Sequence, residues 1–280
     1  SLNGAAFEIQ RNVMLPNWLL YATAVLFIVL AGTALFFFTL TRGALILRTV
    51  AGQADSAAAH VYPIYSNMRL IRLVDWQPII AAILLFQYDR LVSAITSGLR
   101  QTDLRGKKVL ITSCAFGNVI PRVVQASTNA GASRVLVADI ILNELQHART
   151  KLPAFAGRVD YIEENATAMT LADGSVDANV IFFLLHELPH ELKGEALREA
   201  CRVLAPGGKL YLAEFHRPEP WVLRALSWTY FKVFEPLGLA LWDTHDPVRQ
   251  LQAMEGFSCE RRTVFFGNFQ VIVATRKGPR

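Results

Sequence analysis

Charged residues are scarce in this chain. Asp, Glu, Lys and Arg together make up 18% of its 280 residues, whereas hydrophobic residues make up 52%. So apolar a composition is unusual for a soluble protein and indicates a segment that lies in a membrane. The formal net charge is +5, but no basic run is interleaved with aromatic residues. We therefore expect no nucleic-acid binding, and an anionic membrane surface suits this charge at least as well.

Cysteine is also rare, and its three positions lie far apart at Cys114, Cys201 and Cys259. An odd number of cysteines without C-x-x-C spacing argues against a disulfide framework and against a structural zinc site. This usage fits a reducing compartment. We expect Cys201 and Cys259 to be small buried hydrophobic residues.

One long segment, residues 18–40, has no charged residue at all. It is long enough to cross a bilayer as a helix, and its uniform apolarity disfavours the alternative of a buried core helix. A signal peptide would have a shorter apolar core and a cleavage site of small residues. Arg42 and Arg48 follow, so the positive-inside rule predicts a single-pass protein with its main domain in the cytoplasm. We assign residues 1–50 to this N-terminal segment.

Residues 51–104 are interpreted as a linker followed by interfacial or amphipathic helices. Residues 51–61 are small and polar, as linkers are. Residues 78–86 are apolar but too short to span a bilayer, and Asp75 or Gln77 can cap the first turn of a helix there. That helix lies either at the membrane interface or in the core of the globular domain. At an interface, the headgroup level would hold the nearby aromatic residues Tyr62, Tyr65, Trp76 and Tyr88.

From about residue 105 onward, short apolar strands alternate with helices. Helical patterns occupy residues 119–129, 141–151 and 194–204. The alternation predicts an α/β domain over residues 105–280, with a doubly wound, mostly parallel sheet that ends in an antiparallel hairpin. Strands are expected at residues 109–112, 134–138, 159–162, 178–184 and 209–215, and in the hairpin at residues 259–266 and 269–275.

Glycine is missing where a nucleotide-binding fold would carry most of it. Residues 107–117, KKVLITSCAFG, form a predicted strand and a tight loop that leads into a helix, the usual place of a glycine-rich loop. Of the two or three glycines typical of such loops, this one has only Gly117. The position predicts a nucleotide-type ligand, and the missing glycines indicate either altered or lost chemistry.

Polar residues close the strands that follow. In a doubly wound sheet the ligand lies at the carboxyl ends of the strands, near the switch in strand order. Asp139 closes the second strand, where a carboxylate can accept both hydroxyls of a ribose; alternatively, it caps the next helix. The third and fourth strands end at Glu163-Glu164-Asn165-Ala166 and Leu184-Leu185-His186-Glu187.

These features resemble the class I S-adenosylmethionine-dependent methyltransferases. NATAMTLADGSVDANV (residues 165–180) is similar to their connection between the third and fourth strands, and EALREACRVLAPGGKLYLAEF (residues 195–215) to their helix, P-G-G turn and fifth strand. The resemblance covers about residues 105–216 and implies a Rossmann-like fold. It places the methionine part of the cofactor at the loop, the ribose at Asp139 and the adenine at Asn165 and Ala166. The implied cofactor-binding residues are Ser113, Cys114, Ala115, Gly117, Asp139, Asn165, Ala166 and Leu184.

A narrower resemblance, over most of residues 60–276, is to the rhodoquinone biosynthesis family RquA. It is carried by FFLLHE (residues 182–187), EFHRP (residues 214–218) and FEPL (residues 234–237). That family is thought to convert ubiquinone to rhodoquinone with S-adenosylmethionine as amino donor, and a divalent metal such as manganese is implicated. Its first loop also lacks the usual glycines but keeps a cysteine and the last glycine, which Cys114 and Gly117 match.

Two features depart from these families. Residues 1–50 have no counterpart in RquA. Ile111 stands where class I methyltransferases usually have an acidic residue, which helps to hold the charged amino group of the cofactor. This substitution puts the affinity for the cofactor in question.

Three residues at strand ends are candidates for catalysis. His186 and Glu187 can act as acid and base, or the carboxylate can bind a hard metal; alternatively, His186 bonds to backbone and Glu187 caps a helix. His216 can contact a quinone carbonyl, or it is only a polar strand end. The aromatic residues 223–241 form either a lid over a prenylated substrate or a core-packing helix.

We therefore expect a membrane-anchored, S-adenosylmethionine-dependent enzyme that modifies a quinone ring. The residues do not distinguish conversion of ubiquinone to rhodoquinone from methylation. The alternative is a non-catalytic, methyltransferase-like subunit of a larger membrane complex. The loop without its glycines, the additional apolar segment and Ile111 favour that alternative.

Overall fold

The computed structural model describes residues 17–35, 65 and 68–278. The chain divides into two compact units, Ser1–Ala44 and Leu45–Arg280. In the first unit, helix α1 spans Asn17–Leu35. The predicted linker at residues 51–61 and Tyr62 lie outside the described residues.

The membrane-spanning prediction is not confirmed. In the part of the chain that the structure describes, no single helix has both the length and the apolar character needed to cross a bilayer. Gln77–Ile83 and Tyr88–Arg100 meet these criteria only as a pair, and they are bent by 93°. The predicted span over residues 18–40 coincides with α1, and its last residues, 36–40, lie outside the described ranges.

The second unit is built on one sheet of seven strands. The first five strands are mutually parallel where they pair, and the last one pairs antiparallel with both of its neighbours. This arrangement confirms the predicted doubly wound sheet and its C-terminal antiparallel hairpin. The strands are β1 Lys108–Thr112, β2 Arg134–Asp139, β3 Val159–Glu163, β4 Val176–Phe182, β5 Leu204–Phe215, β6 Phe257–Val264 and β7 Phe269–Arg276. Their order across the sheet is β3-β2-β1-β4-β5-β7-β6. The strand numbers fall to β1 and then rise from β4, so the switch in strand order lies between these two parallel strands.

Helices of this unit flank the sheet or precede it in the chain. Short 3-10 helices lie at Pro153–Phe155 and Pro236–Trp242. The α-helices are α2 Met68–Val74, α3 Gln77–Ile83, α4 Tyr88–Arg100, α5 Val119–Asn129, α6 Leu142–Thr150, α7 His190–Arg202, α8 Trp221–Phe234 and α9 Pro247–Ala253.

Two hydrophobic clusters, one on each face, hold the helices to the sheet. Successive side chains of a strand point to opposite faces. Val109 and Ile111 of β1 accordingly join the cluster covered by α4, α5 and α6, whereas Leu110 joins the one covered by α7 and α9. Apolar residues at consecutive positions are therefore what a strand buried on both faces requires.

Several predicted boundaries were wrong for identifiable reasons. β4 ends at Phe182 rather than at residue 184, because Phe183 adopts a left-handed backbone with φ of +56°. β5 begins at Leu204 rather than at residue 209, since Leu204 already pairs with Val176. Helix α3 has Trp76 as its N-cap and no side-chain cap, so neither Asp75 nor Gln77 plays the predicted role.

Candidate functional site

A pocket opens at the carboxyl ends of β1, β2 and β4, where the strand order reverses. It contains about 810 Å³ of space, counting its open mouth. Ligands of doubly wound sheets bind at this position. The predicted site residues that line it are Ser113, Cys114, Asp139, Asn165, Ala166, Leu184 and Glu187.

Four predicted site residues do not form the pocket wall. Ala115 and Gly117 lie further along the loop, and His186 lies behind Glu187. His216 takes part in a different network: its Nδ1 donates to the carbonyl of Gly267 over 2.6 Å, and its Nε2 faces Arg261 at 3.4 Å. Since both ring nitrogens are engaged at the hairpin turn, the placement of His216 gives no support to a catalytic role.

Two residues of the first loop have a left-handed backbone. Ser113 and Gly117 have φ of +76° and +84°. That region is freely open to glycine but costs other residues about 1 kcal/mol. The hydroxyl of Ser113 lies 3.4 Å from Asp139 Oδ2. Ser113 is therefore a serine in a backbone conformation that favours glycine.

Side chains from other elements fasten this loop. Asp75, 5% exposed, accepts a hydrogen bond from the amide of Gly117 and pairs with Lys151 and His147. Lys151 Nζ in turn donates to the carbonyl of Gly117 over 3.0 Å. A Cβ at Gly117 would lie 2.5 Å from Tyr88 Oη, so the contact itself requires glycine. We call Asp75, Lys151 and His147 the loop clamp.

Asp139 at the end of β2 is a fixed hydrogen-bond acceptor. Its carboxylate receives the amides of Cys114 at 2.6 Å and Ile141 at 2.8 Å, besides the hydroxyl of Ser113. Burial raises the pKa of Asp139, and these hydrogen bonds oppose that shift. The side chain of Cys114 is a further donor to this carboxylate, so Asp139 is held in place by three residues, Ser113, Cys114 and Ile141. The N-cap of α6 is Ile141, so Asp139 does not cap that helix as the alternative predicted.

After β4, His186 lies between two acidic side chains, Glu187 and Glu214. Glu187 Oε1 accepts from the hydroxyl of Tyr65 over 2.9 Å, and burial raises the pKa of Glu187 to about 7. His186 Nδ1 lies 3.2 Å from Glu214 Oε1, and His186 Nε2 lies 3.9 Å from Glu187 Oε1. Burial alone would lower the pKa of His186, but the charge and hydrogen bond of Glu214, together with the charges of Glu235 and Glu187, raise this pKa to about 9. His186 is therefore a cation at neutral pH.

Sequence reasoning missed Glu144 as a pocket residue. Glu144 lies in the first turn of α6, lines the pocket and is 3% exposed. Burial, and after it the charge of Asp139, raises the pKa of Glu144 to about 8. The one available signal was the spacing. Glu144 lies in the first turn of the helix that follows Asp139, so it is close to the end of β2.

The predicted divalent metal has no visible ligand set. Over residues 17–35, 65 and 68–278, no three His, Cys, Asp or Glu side chains are grouped to hold a metal ion. Glu164, an acid in the pocket wall, is instead engaged with the amide of Thr170 at 2.8 Å.

Comparison with known sequences points to one family. The model of the ubiE/COQ5 methyltransferase family matches residues 76–256. The chain is 34% identical over 161 residues to the ubiquinone/menaquinone biosynthesis C-methyltransferase UbiE of Methylobacterium nodulans, covering 57% of this chain and 62% of that protein. UbiE of Klebsiella pneumoniae is 35% identical over 136 residues, 48% of this chain and 50% of that protein. The chain thus spans between half and two thirds of the length of these relatives.

Solved structures show the same fold. An O-methyltransferase family protein from Burkholderia thailandensis aligns with a TM-score of 0.56 at 15% identity, covering 84% of this chain and 69% of that one. The CurJ carbon methyltransferase aligns with a TM-score of 0.61 at 14% identity, covering 88% and 70%. At such identities the likeness shows the fold alone, which is the predicted class I methyltransferase fold. The closer resemblance to RquA stays a prediction.

Proposed function

We propose, since the chain belongs to the ubiE/COQ5 methyltransferase family, that it transfers a methyl group from S-adenosylmethionine to a ring carbon of a quinone precursor. The observation that carries this proposal is the pocket at the strand-order switch, with Asp139 held ready at the end of β2. The two relatives described above are C-methyltransferases of ubiquinone and menaquinone biosynthesis, which supports the choice of substrate.

The chemistry of the pocket residues fits S-adenosylmethionine. The carboxylate of Asp139 lines the pocket and can accept a ribose hydroxyl in exchange for one of its side-chain donors, and Asn165 offers an amide to the adenine. Ile140, Met169 and Leu188 supply apolar wall for the flat face of the base. When bound, the cofactor supplies a methyl group made electrophilic by its sulfonium.

Glu187 is the candidate general base. As the ring carbon forms its bond to the methyl group, the sulfur–methyl bond breaks and the ring loses a proton. Glu187 lines the pocket, and with a pKa of about 7 it is poised to accept that proton near neutral pH. His186, already protonated, cannot act as the base at neutral pH; its charge orients Glu187 and stabilises the carboxylate form.

Aromatic side chains of the core pack around His186. Phe215 contacts both Phe183 and Phe231 edge to face, and Phe183 and Phe215 also contact the imidazole. Phe231 belongs to α8 and is buried, so part of α8 packs in the core as one reading of residues 223–241 predicted. The same helix has an exposed face of apolar residues.

That outer face of α8 supports contact with a membrane, where a prenylated quinone resides. Trp221 is 77% exposed and Leu226 is 64% exposed, and the exposed Lys232 lies over the ring of Trp228. Tryptophan with a neighbouring lysine is typical of membrane-interface surfaces. We further propose that residues 18–40 anchor the protein in the membrane, with its main domain on the cytoplasmic side.

The test is a product assay with purified protein, S-adenosylmethionine and a demethylated quinol in detergent micelles. Mass spectrometry should show one added methyl group per ring, and Asp139→Asn should raise the concentration of cofactor needed for half-maximal rate. Binding of the cofactor without modification of any quinol would contradict the proposal that the substrate is a quinone precursor. An amino-substituted product would instead support the conversion of ubiquinone to rhodoquinone.

A non-catalytic role in a larger membrane complex is the second candidate. It is favoured by Ile111, which is buried in the core and gives the pocket no acid from β1. This role predicts a copurifying subunit and no calorimetric signal with S-adenosylmethionine. Saturable cofactor binding by the isolated protein would exclude it.

A further inference from the structure

Four carboxylates line the pocket, and they differ in what they bind. Asp139 accepts backbone amides, Glu164 accepts the amide of Thr170, and Glu187 accepts the hydroxyl of Tyr65. For Glu144, Oε1 is buried and has no hydrogen-bond partner among the residues that the structure describes. A buried acceptor without a donor costs roughly 1–3 kcal/mol and calls for an explanation.

Lys151, the cation that acts on the pKa of Glu144, does not neutralise it. Lys151 lies close enough to oppose the shift in the pKa of Glu144, but its ammonium is engaged with Asp75 and with the carbonyl of Gly117. The neighbouring charges that act on the pKa of Glu144 are otherwise negative. The titratable groups facing it from the surrounding elements are Tyr65, Asp75, Cys114, Asp139, Lys151 and Glu187.

A pocket of this kind favours a ligand that brings positive charge to a defined place. S-adenosylmethionine has two such groups, its sulfonium and its ammonium. From β1 the pocket receives no acid, since Ile111 is apolar and points into the core. The acid that reaches the pocket without a partner comes instead from the first turn of α6.

We propose that Glu144 is the counter-charge for the cationic part of S-adenosylmethionine, which it receives as a carboxylate. This inference rests on the proposed function, because it presumes that the cofactor binds in this pocket. It assigns a cofactor-contacting role to a residue outside the loop and the strand ends.

Binding should then be coupled to proton release. With a pKa of about 8, Glu144 is mostly protonated at pH 7 in the free protein. A cation beside it favours the carboxylate, so the proton leaves to the buffer as the cofactor binds. At pH 9 Glu144 is already ionised and has no proton to release.

The experiment is isothermal titration calorimetry in buffers with different ionisation enthalpies, which counts protons released per bound ligand. The full chain, as wild type and as Glu144→Gln, is titrated with S-adenosylmethionine and with S-adenosylhomocysteine, which retains the ammonium but lacks the sulfonium charge. Glu163→Gln, at an exposed position outside the pocket wall, is the matched control. Glu187→Gln reports protons that come from Glu187, another pocket acid whose pKa is raised.

For wild type we expect release of most of one proton at pH 7. Glu144→Gln should lose this release and bind S-adenosylmethionine about tenfold more weakly, which corresponds to about 1.4 kcal/mol. Its affinity for S-adenosylhomocysteine should fall less, and that retained binding shows that the variant is folded. The α-amino group of the ligand itself titrates near pH 8, at about 7.7–8.0 in peptides, so the two proteins are compared at pH 7, where the free ligand is mostly an ammonium.

The outcomes separate this inference from the proposed function. If wild type binds S-adenosylmethionine and Glu144→Gln shows the same proton release and affinity, the role of Glu144 is wrong while the function stands. Loss of proton release only in Glu187→Gln would assign the proton to Glu187 and likewise overturn the inference. If wild type binds neither ligand, the proposed function fails, and this inference fails with it.

Discussion

The two walls of the pocket hold their charges differently. On the β1–β2 side, Asp139 is held by backbone amides, which do not titrate, and the first loop is fastened by Asp75. On the β4–β5 side, Glu187 and Glu214 are paired with Tyr65 and His186, which do. The first wall therefore fixes Asp139 and the first loop, although Glu144 titrates beside them, whereas in the second wall the contact of Glu214 depends on the charge of His186.

The largest effect is expected at Glu214, where the titratable wall can be broken. Glu214 is fully buried and accepts from the amides of His186 and Phe215 as well as facing the imidazole. Glu214→Ala leaves these donors and a buried cation unpaired, and should lower the free energy of unfolding by about 3–5 kcal/mol in urea titrations. Glu214→Gln should lose less, because it keeps an acceptor.

The same pair sets a pH dependence. The pKa of His186 is raised to about 9 in the folded protein, so its stabilising contribution is full below its unfolded value and is lost as pH rises through 9. Urea titrations between pH 6 and pH 10 should show this loss in wild type but not in Glu214→Gln. A parallel loss in both proteins would contradict the assigned pair.

Asp75→Asn should break the fixed wall. The variant removes the negative charge of the loop clamp and leaves Lys151 and His147 without their charged partner. We therefore expect the free energy of unfolding to fall by about 3 kcal/mol. Asp89→Asn is the control, since Asp89 forms an ion pair with Arg122 while its side chain is 80% exposed. Such a surface pair contributes at most about 1 kcal/mol. Equal losses in thermal unfolding would show that the clamp contributes no more than a surface pair.

Glu187→Gln should separate chemistry from binding. Wild-type methyl transfer should rise through pH 7 as Glu187 ionises, since its base form exists above that pKa. Without the base, turnover should fall by about 100-fold and lose this rise, while cofactor affinity stays close to wild type. Single-turnover rates between pH 5.5 and pH 8.5 measure this; an unchanged pH profile would remove Glu187 from the mechanism.

Gly117→Ala tests the close approach of the loop to Tyr88. The residue has φ of +84°, and the added Cβ would meet Tyr88 Oη at 2.5 Å, so a loss of about 2 kcal/mol is expected. Gly207→Ala is the matched variant, because Gly207 has φ of +79° but open space around it. It should lose only about 1 kcal/mol. Urea midpoints that fall equally would show that backbone conformation alone matters.

Ser113→Gly should have the smallest effect, and it tests whether the loop needs a serine where glycine would fit the backbone. Glycine relieves the left-handed backbone at φ of +76° but loses the hydroxyl near Asp139 and gains freedom in the unfolded chain. We expect a change in the free energy of unfolding below about 1 kcal/mol. A large loss would mean that the hydroxyl, rather than the backbone shape, is what the loop requires.

The fold was largely predictable because its signals are local. The apolar strands and the helix at residues 119–129 depend on near neighbours in the chain, and this helix was predicted at its observed bounds. Asp139 was predictable as well, since the end of an apolar strand is visible in the sequence. Strand ends were less so: a left-handed Phe183 shortens β4, and no propensity indicates that conformation for phenylalanine.

The sequence by itself determined the layered α/β sheet and the strand ends at which a ligand would bind, because periodicity and strand order follow from short-range patterns. Only the tertiary structure decided which polar groups meet. Asp75 reaches Gly117 across 42 positions, Glu144 turns back into the pocket, and His216 is drawn to the hairpin turn. Such partners depend on contacts between distant segments, and the charge of each buried group depends on which partner it finds.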